Sequence, residues 1–344
     1  MGGNALKKVV TRRYARNEYY LLKEIILNKL QGHIDKYDVP KEFPCKESFG
    51  DLDVLIVCPL SINIENLIED LFHPTEICHN GDVYSFDFEQ FQIDFIIVEK
   101  DIFENAIIYL SYSDLGGLIG NISHKIGLKY GIQGLWMNIH TKEFDPTTTS
   151  TKLILSTNIK DIFNFLGYNY QKYIQGFYNE NDFFQWIIEG KYFRSIYFDD
   201  NQLNHANRQR TSKRPIYIKF REYINQQDQL NYFINELSED QNELIRNVRE
   251  KALIYFNKQE DYQKGLNQRE EKRLFKNKYN GRFFSDIDGQ NQMIRVHMKN
   301  FEKRFAKTDE EFHQWILNTD NDIILFEIDK YKNELKHNQS SLSN

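Results

Sequence analysis

The apolar and polar positions divide the chain into short strand-like and helix-like stretches. Val54-Leu55-Ile56-Val57 is an unbroken aliphatic run just after Gly50, which predicts a strand in a sheet interior. Val83 to Phe88 and Phe91 to Val98 predict two more strands joined by a tight turn, and Leu135 to Ile139 and Leu153 to Leu155 flank a Thr-rich loop at Thr147 to Thr151. Helical periodicity runs from an N-cap at Asn17 to Leu30, then over Ile62 to Phe72, Asp101 to Tyr112 and Asp114 to Tyr130, the last interrupted by Gly116, Gly117 and Gly120. Short helices are expected at Asn158 to Leu166, Tyr168 to Tyr173 and Phe183 to Glu189. From about residue 175 the character changes: Glu222 to Phe256 is mostly helical, and Gln259 to Tyr279, Asn300 to Ala306, Asp309 to Leu317 and Asp322 to Lys336 read as helices. Asp38 to Glu47 contains Pro40 and Pro44 and reads as irregular. The expected fold class is α+β: a small mixed sheet with helices on one face, followed by a mostly helical C-terminal domain. The expected divisions are 1–34, an N-terminal segment and helix; 35–174, a catalytic domain; 175–337, a helical and partly basic domain; and 338–344, a disordered tail.

Candidate chemistry sits at the mouth of the first strand, in Ser48-Phe49-Gly50-Asp51-Leu52-Asp53-Val54. Residues two apart on a strand share a face, so Asp51 and Asp53 would project side by side with Leu52 turned away. Two close carboxylates are costly unless a proton or cation lies between them, and an oxygen-seeking divalent ion such as Mg²⁺ or Mn²⁺ suits them. Asp94, in Gln92-Ile93-Asp94-Phe95-Ile96, is a lone charge in an apolar strand. If the two strands are neighbours, Asp94 joins the cluster and completes a two-metal site for phosphoryl or nucleotidyl transfer. Otherwise Asp51 and Asp53 are turn residues and Asp94 an edge residue.

With 344 residues the chain has ample length for a core, and two domains are expected. Cys45, Cys58 and Cys78 have no metal-ligand spacing and read as free thiols of an intracellular protein, nuclear or cytoplasmic. No apolar run is long enough to span a bilayer, so no membrane association is expected. Met1-Gly2-Gly3-Asn4-Ala5-Leu6 opens like a myristoylation signal but has Leu6 where Ser or Thr is wanted, and reads as a short disordered start. The net charge of −6 does not advertise nucleic-acid binding, but its distribution is uneven: about −9 over residues 1–205, about +6 over 206–282 and about −3 beyond. Arg208, Arg210, Lys213 and Arg214 place four cations in seven residues, with Tyr217 and Phe220 close behind. That run is either a nucleic-acid contact with aromatic stacking or a solvated loop beside acidic neighbours. Arg12 and Arg13 are either a solvated lead-in to the first helix or a phosphate contact. Asp286-Ile287-Asp288 repeats the Asp-x-Asp spacing without a following apolar strand and reads as a surface turn.

The order of these features resembles the polymerase beta-like nucleotidyltransferases, the family X DNA polymerases. Ser48 to Ile56 is similar to their catalytic strand, and Ile93-Asp94-Phe95-Ile96-Ile97 to the strand bearing their third metal-binding aspartate. Tyr109-Leu110-Ser111-Tyr112-Ser113-Asp114 resembles the turn that seats the sugar and base of the incoming nucleotide, and Asp161 to Leu166 the helix ending the nucleotide-selecting subdomain. The resemblance covers roughly residues 35–172. It implies a palm-like sheet in which Asp51 and Asp53 bridge two Mg²⁺ or Mn²⁺ ions and a nucleoside triphosphate. Asp94 would bind the ion that activates a 3′-hydroxyl and serve as its base. It also implies nucleotide contacts at Lys46, Ser48, Gly50, Tyr109, Tyr112 and Asp114.

Two departures stand out. The family's Gly-Ser pair before the metal strand is absent from Pro40 to Glu47, where Lys46 and Ser48 would supply the charge and hydroxyl. Ser111-Tyr112-Ser113 stands where Thr-Gly-Ser is expected. The chain ahead of residue 35 is too short for the DNA-binding domains of a repair polymerase, so template-independent transfer to a nucleic-acid 3′-hydroxyl is expected rather than gap filling. The competing expectations are a catalytically silent module for nucleic-acid binding or assembly, and transfer of a nucleotide to a protein hydroxyl.

Overall fold

The structure is a computed structural model that describes residues 3–139, 151–199, 208–209, 211–229, 240–285, 287 and 291–341. Most of the Thr147–Thr151 loop, Arg210, and Asp286 with Asp288 lie outside the described residues.

The elements run β1 (Tyr14–Ala15), α1 (Arg16–Leu30), β2 (Lys36–Asp38), β3 (Ser48–Phe49), β4 (Asp51–Val57), α2 (Ile64–Phe72), β5 (Ile77–Asn80), β6 (Val83–Phe88), β7 (Phe91–Ile97), α3 (Phe103–Leu110), α4 (Leu115–Lys125), β8 (Lys129–Gly131), β9 (Gly134–Ile139), β10 (Thr151–Ser156), α5 (Ile159–Leu166), α6 (Tyr170–Gln175) and α7 (Glu180–Ile188). Longer helices follow at Pro215–Gln229, Gln241–Tyr255, Gln259–Lys278, Asn291–Phe305, Asp309–Asn318 and Asn321–Ser341. The class is α+β with a mixed sheet and a mostly helical C-terminal region. Asn side chains start several helices: Asn63, Asn158, Asn169 and Asn179 each accept the backbone N–H three residues on. Asn17 does not cap α1. The cap is Ala15, whose N–H is met by Glu18, because pairing of β1 with β3 sets the chain direction two residues earlier.

The main sheet has the order β2-β4-β7-β6-β5, with only the β4–β7 pair parallel. Alternation along β4 divides its residues between two cores. Leu52, Val54 and Ile56 pack with Tyr19, Leu22 and Ile26 of α1 and Ile64, Leu67 and Ile68 of α2. Leu55 and Val57 pack with Phe103, Ala106 and Ile107 of α3 on the opposite face. Helices therefore cover both faces rather than the one expected, because Leu55 and Ile96 give the second face its own apolar strip. Asp51 and Asp53 belong to this second face by parity with Leu55. α3, which packs on Leu55 and Val57 of that face, ends at Leu110.

Two expected disordered segments have structure. Residues 3–11 run along the sheet, with Leu6 buried and Thr11 Oγ1 donating to Gly3 O. The final helix extends to Ser341, so residues 338–341 are helical rather than tail. α4 is continuous through its three glycines. A Cβ at Gly116 would strike the Tyr109 ring, and one at Gly117 the Asp114 carboxylate and the Arg214 guanidinium.

Compact units divide the chain as 1–138 with 152–258, and 139–151 with 259–344. Residues 175–258 thus join the first unit, whereas a boundary near 175 was expected. The physical cause is aromatic: Phe177 and Phe183 stack around Tyr112, and Phe43 meets both Tyr112 and Phe183. The second unit has its own core of Tyr279, Phe284, Phe301, Phe312, Ile316, Ile324, Ile328 and Tyr331.

Candidate metal centre and its cleft

Parallel pairing of β4 with β7 places Asp51 opposite Gln92 and Asp53 opposite Asp94. One carboxylate oxygen from each of Asp51, Asp53 and Asp94 lies within 4.8 Å of the others. All three are partly buried. Such a trio is electrostatically unbalanced. Burial raises the Asp53 carboxyl to about 8, and Asp51, Asp94 and Glu42 push it the same way, while Lys46 opposes them. Burial also raises Asp94, against hydrogen bonds from Ser85 and Gln92 that favour its ionised form. The donors are all carboxylate oxygens, the set that hard divalent cations such as Mg²⁺ and Mn²⁺ take, and a cation would relieve the repulsion that the protein leaves in place. Asp51, Asp53 and Asp94 are therefore the residues fitted to hold one.

Asp51 and Asp53 open onto a cleft of about 1090 Å³. Lys46, Ser48 and Gly50 line it, as do Arg13, Glu42, Ser113, Asn179 and Lys219. Arg13 reaches Ser48 through two bonds, Nε to Oγ at 2.8 Å and Nη2 to the carbonyl at 3.0 Å. Lys46 Nζ donates to both oxygens of Glu42 at 2.8 Å and lies 4.6 Å over the Phe49 ring. Both lysines of the cleft are paired with carboxylates that also line it, Lys46 with Glu42 and Lys219 with Glu180.

The turn after α3 forms one wall. Tyr112 and Ser113 both have left-handed backbones, φ 54° and 64°, a conformation that costs non-glycine residues energy. It is pinned from both sides: Tyr112 N–H donates to Lys41 O at 2.7 Å, and Lys41 N–H donates to Ser111 Oγ at 2.9 Å. The Tyr112 side chain is buried, and its hydroxyl accepts the Phe177 N–H. It is therefore a core residue, not a ring offered to a base. Tyr109 packs on Tyr130. Asp114 and Arg214, expected in separate nucleotide and nucleic-acid contacts, meet each other in an ion pair of 2.8 Å. Arg208 and Lys213 are exposed.

Sequence reading missed the surroundings of the aspartates. Gln92 is buried at 2% exposure and donates through Nε2 to both Asp94 oxygens, at 2.9 and 3.0 Å. Gly3 N–H donates to Asp51 Oδ2 at 3.1 Å. Gln92 carried a usable signal, an amide in an apolar strand two positions before Asp94. The bond from Gly3 carried none, because a donated backbone N–H leaves no mark on residue type. No family model matches the chain, and no curated protein matches it. Among the described residues no helix is long and apolar enough to cross a membrane.

Proposed function

We propose that the chain is a metal-dependent nucleotidyltransferase of the polymerase beta-like kind, moving a nucleotide from a nucleoside triphosphate to a nucleic-acid 3′-hydroxyl. The observation that carries this reading is the convergence of three carboxylates from adjacent parallel strands, two of them, Asp51 and Asp53, lining a cleft large enough for a nucleotide. When bound, Mg²⁺ or Mn²⁺ would supply Lewis-acid stabilisation of phosphoryl oxygens and make an acceptor hydroxyl more acidic. Asp51, Asp53 and Asp94 would hold it, with Asp94 the candidate base. Arg13, Ser48 and the backbone at Gly50 would face the triphosphate. The left-handed backbone at Tyr112 supports the same reading, since it falls where the resembled family has a glycine.

The test is extension of labelled single-stranded DNA and RNA with each nucleoside triphosphate in Mg²⁺ or Mn²⁺. Extension that disappears in Asp53→Asn supports the reading and identifies nucleotide and acceptor together. Absence of extension on either nucleic acid, with or without added protein acceptors, contradicts it.

A second reading rests on the cations. Lys46 is held by Glu42 and Arg214 by Asp114, so two groups expected to receive phosphates already have carboxylate partners. This favours a nucleotidyltransferase-fold module that binds nucleic acid or assembles a complex without catalysis. Equilibrium binding separates the two: the enzyme gains triphosphate affinity on adding Mg²⁺, and the silent module does not.

A further inference from the structure

Asp51 and Gln92 are register partners, as are Asp53 and Asp94 two pairs further along the same two strands. The pair nearer the strand starts is met by the N-terminal segment. Gly3 N–H donates to Asp51 Oδ2, and Ala5 N–H donates to Gln92 Oε1 at 2.9 Å. A side-chain amide has one oxygen and one NH₂, so an oxygen committed to Ala5 turns the NH₂ toward Asp94. The amide then spans both Asp94 oxygens. Beside the bond from Ser85, Asp94 in this way is linked to a backbone amide of the N-terminal segment through one buried residue.

The segment is fastened elsewhere by other groups. Lys7, Lys8 and Val9 N–H groups converge on the Glu76 carboxylate at 2.7 to 3.1 Å. Arg12 N–H donates to Gln90 O at 2.8 Å, and the Tyr14 hydroxyl donates to Glu89 O, at the left-handed β6–β7 turn. At the other end Gly3 has φ +85°, and a Cβ there would strike Gly50 O. Only glycine brings the backbone this close to Gly50, the residue before Asp51.

We propose that residues 3–9 form a clamp on the metal centre and that Gln92 is its positioning residue, coupling clamp docking to divalent-metal binding. The inference rests on the metal-centre reading above and goes beyond it. Each donor uses one lone pair of a carboxylate oxygen and leaves others for a cation. Outer hydrogen bonds of this kind typically change metal affinity about 10–100-fold. Coupling is reciprocal, so metal must tighten the clamp by the same factor that the clamp tightens metal.

The experiment is a Mn²⁺ titration of the full chain, followed by the spin-resonance signal of free Mn²⁺, with amide hydrogen exchange at Gly3 and Ala5 measured in parallel. Gln92→Met keeps the volume and removes all three hydrogen bonds of the amide. It should weaken Mn²⁺ binding about 10–100-fold with little change in metal-free melting temperature, and Mn²⁺ should slow exchange at both amides in the wild type but not in the variant. Ala5→Pro, at an exposed position, removes the donor without touching the core and should shift Mn²⁺ affinity in the same direction. It decides the matter if Gln92→Met fails to fold. Wild-type Mn²⁺ affinity in either folded variant overturns the clamp and leaves the metal centre standing. A wild-type chain that binds no Mn²⁺ overturns the metal centre and the clamp with it.

Discussion

Two acidic groups on the same sheet are treated in opposite ways. Glu76 is buried at 9% exposure, which should raise its carboxyl, yet three consecutive backbone N–H groups and nearby Lys8 hold it below the usual range. Asp87 beside it accepts the N–H groups of Thr75 and Glu76 at 2.9 and 2.7 Å. Asp51 accepts one backbone N–H and Asp94 accepts from Gln92 and Ser85, but burial and the neighbouring carboxylates still push Asp53 up to about 8. Acidic residues alone do not mark a site. What separates the two regions is whether the protein supplies the balancing positive ends. Where backbone amides do so, the carboxylate is an anchor. Where they do not, the remaining demand is for a proton or a cation.

The widest separation between the regions should come from removing one charge in each. Asp53→Asn or Asp94→Asn should lower transfer by roughly a thousandfold or more, as loss of a direct transition-state stabiliser does, while the folded state melts no lower. Glu76→Gln should do the reverse in the fold, lowering the melting temperature because its carboxylate is the acceptor for the N-terminal segment. Activity assays and thermal melts on the same preparations check both. A destabilised Asp53→Asn with unaltered transfer would erase the contrast.

Next in size is the dependence on pH and metal. A carboxyl raised in the folded state binds its proton more tightly there than in the unfolded chain. Its contribution is therefore complete below the unfolded value and lost as pH rises through about 8. Metal-free protein should lose stability between about pH 4 and pH 8 at this site, and Mn²⁺ should restore it at the alkaline end. At a hundred times its dissociation constant, the ion would add about 2.7 kcal/mol. Melting curves across pH, with and without Mn²⁺, read this directly; a metal effect that does not grow with pH would contradict it.

Asp114 offers a third kind of balance, an ion pair with Arg214 fitted against Gly117. Gly117→Ala should force these side chains apart and cost about 1–3 kcal/mol, read from denaturant unfolding. The smallest expected effect is at Lys213, which is exposed. If it meets a phosphate, Lys213→Gln should reduce the slope of log affinity against log salt by about 1 on an oligonucleotide and leave stability unchanged.

The contrast also explains what the sequence could disclose. Alternation in Asp51-Leu52-Asp53-Val54-Leu55 was enough to put both aspartates on one face, and the apolar frame around Asp94 was enough to suggest its neighbour. Side-chain type encodes those positions. The anchoring of residues 3–9 is written in backbone amides, which every residue but proline carries, so a Gly- and Lys-bearing start reads as disorder. The boundary expected near 175 failed because Phe43, Tyr112, Phe177 and Phe183 are far apart in sequence and only the fold brings them together. Tyr112 was legible as a departure from Thr-Gly-Ser but not as a buried one, since a tyrosine in a turn looks the same whether its ring faces a cleft or a core.

The most direct test of the central claim is a Mn²⁺-soaked crystal examined by anomalous scattering at the manganese edge. A peak is expected among the Asp51, Asp53 and Asp94 carboxylates and none beside Glu76 and Asp87. A peak beside Glu76 and Asp87, or an empty site between the three aspartates at saturating Mn²⁺, would contradict it.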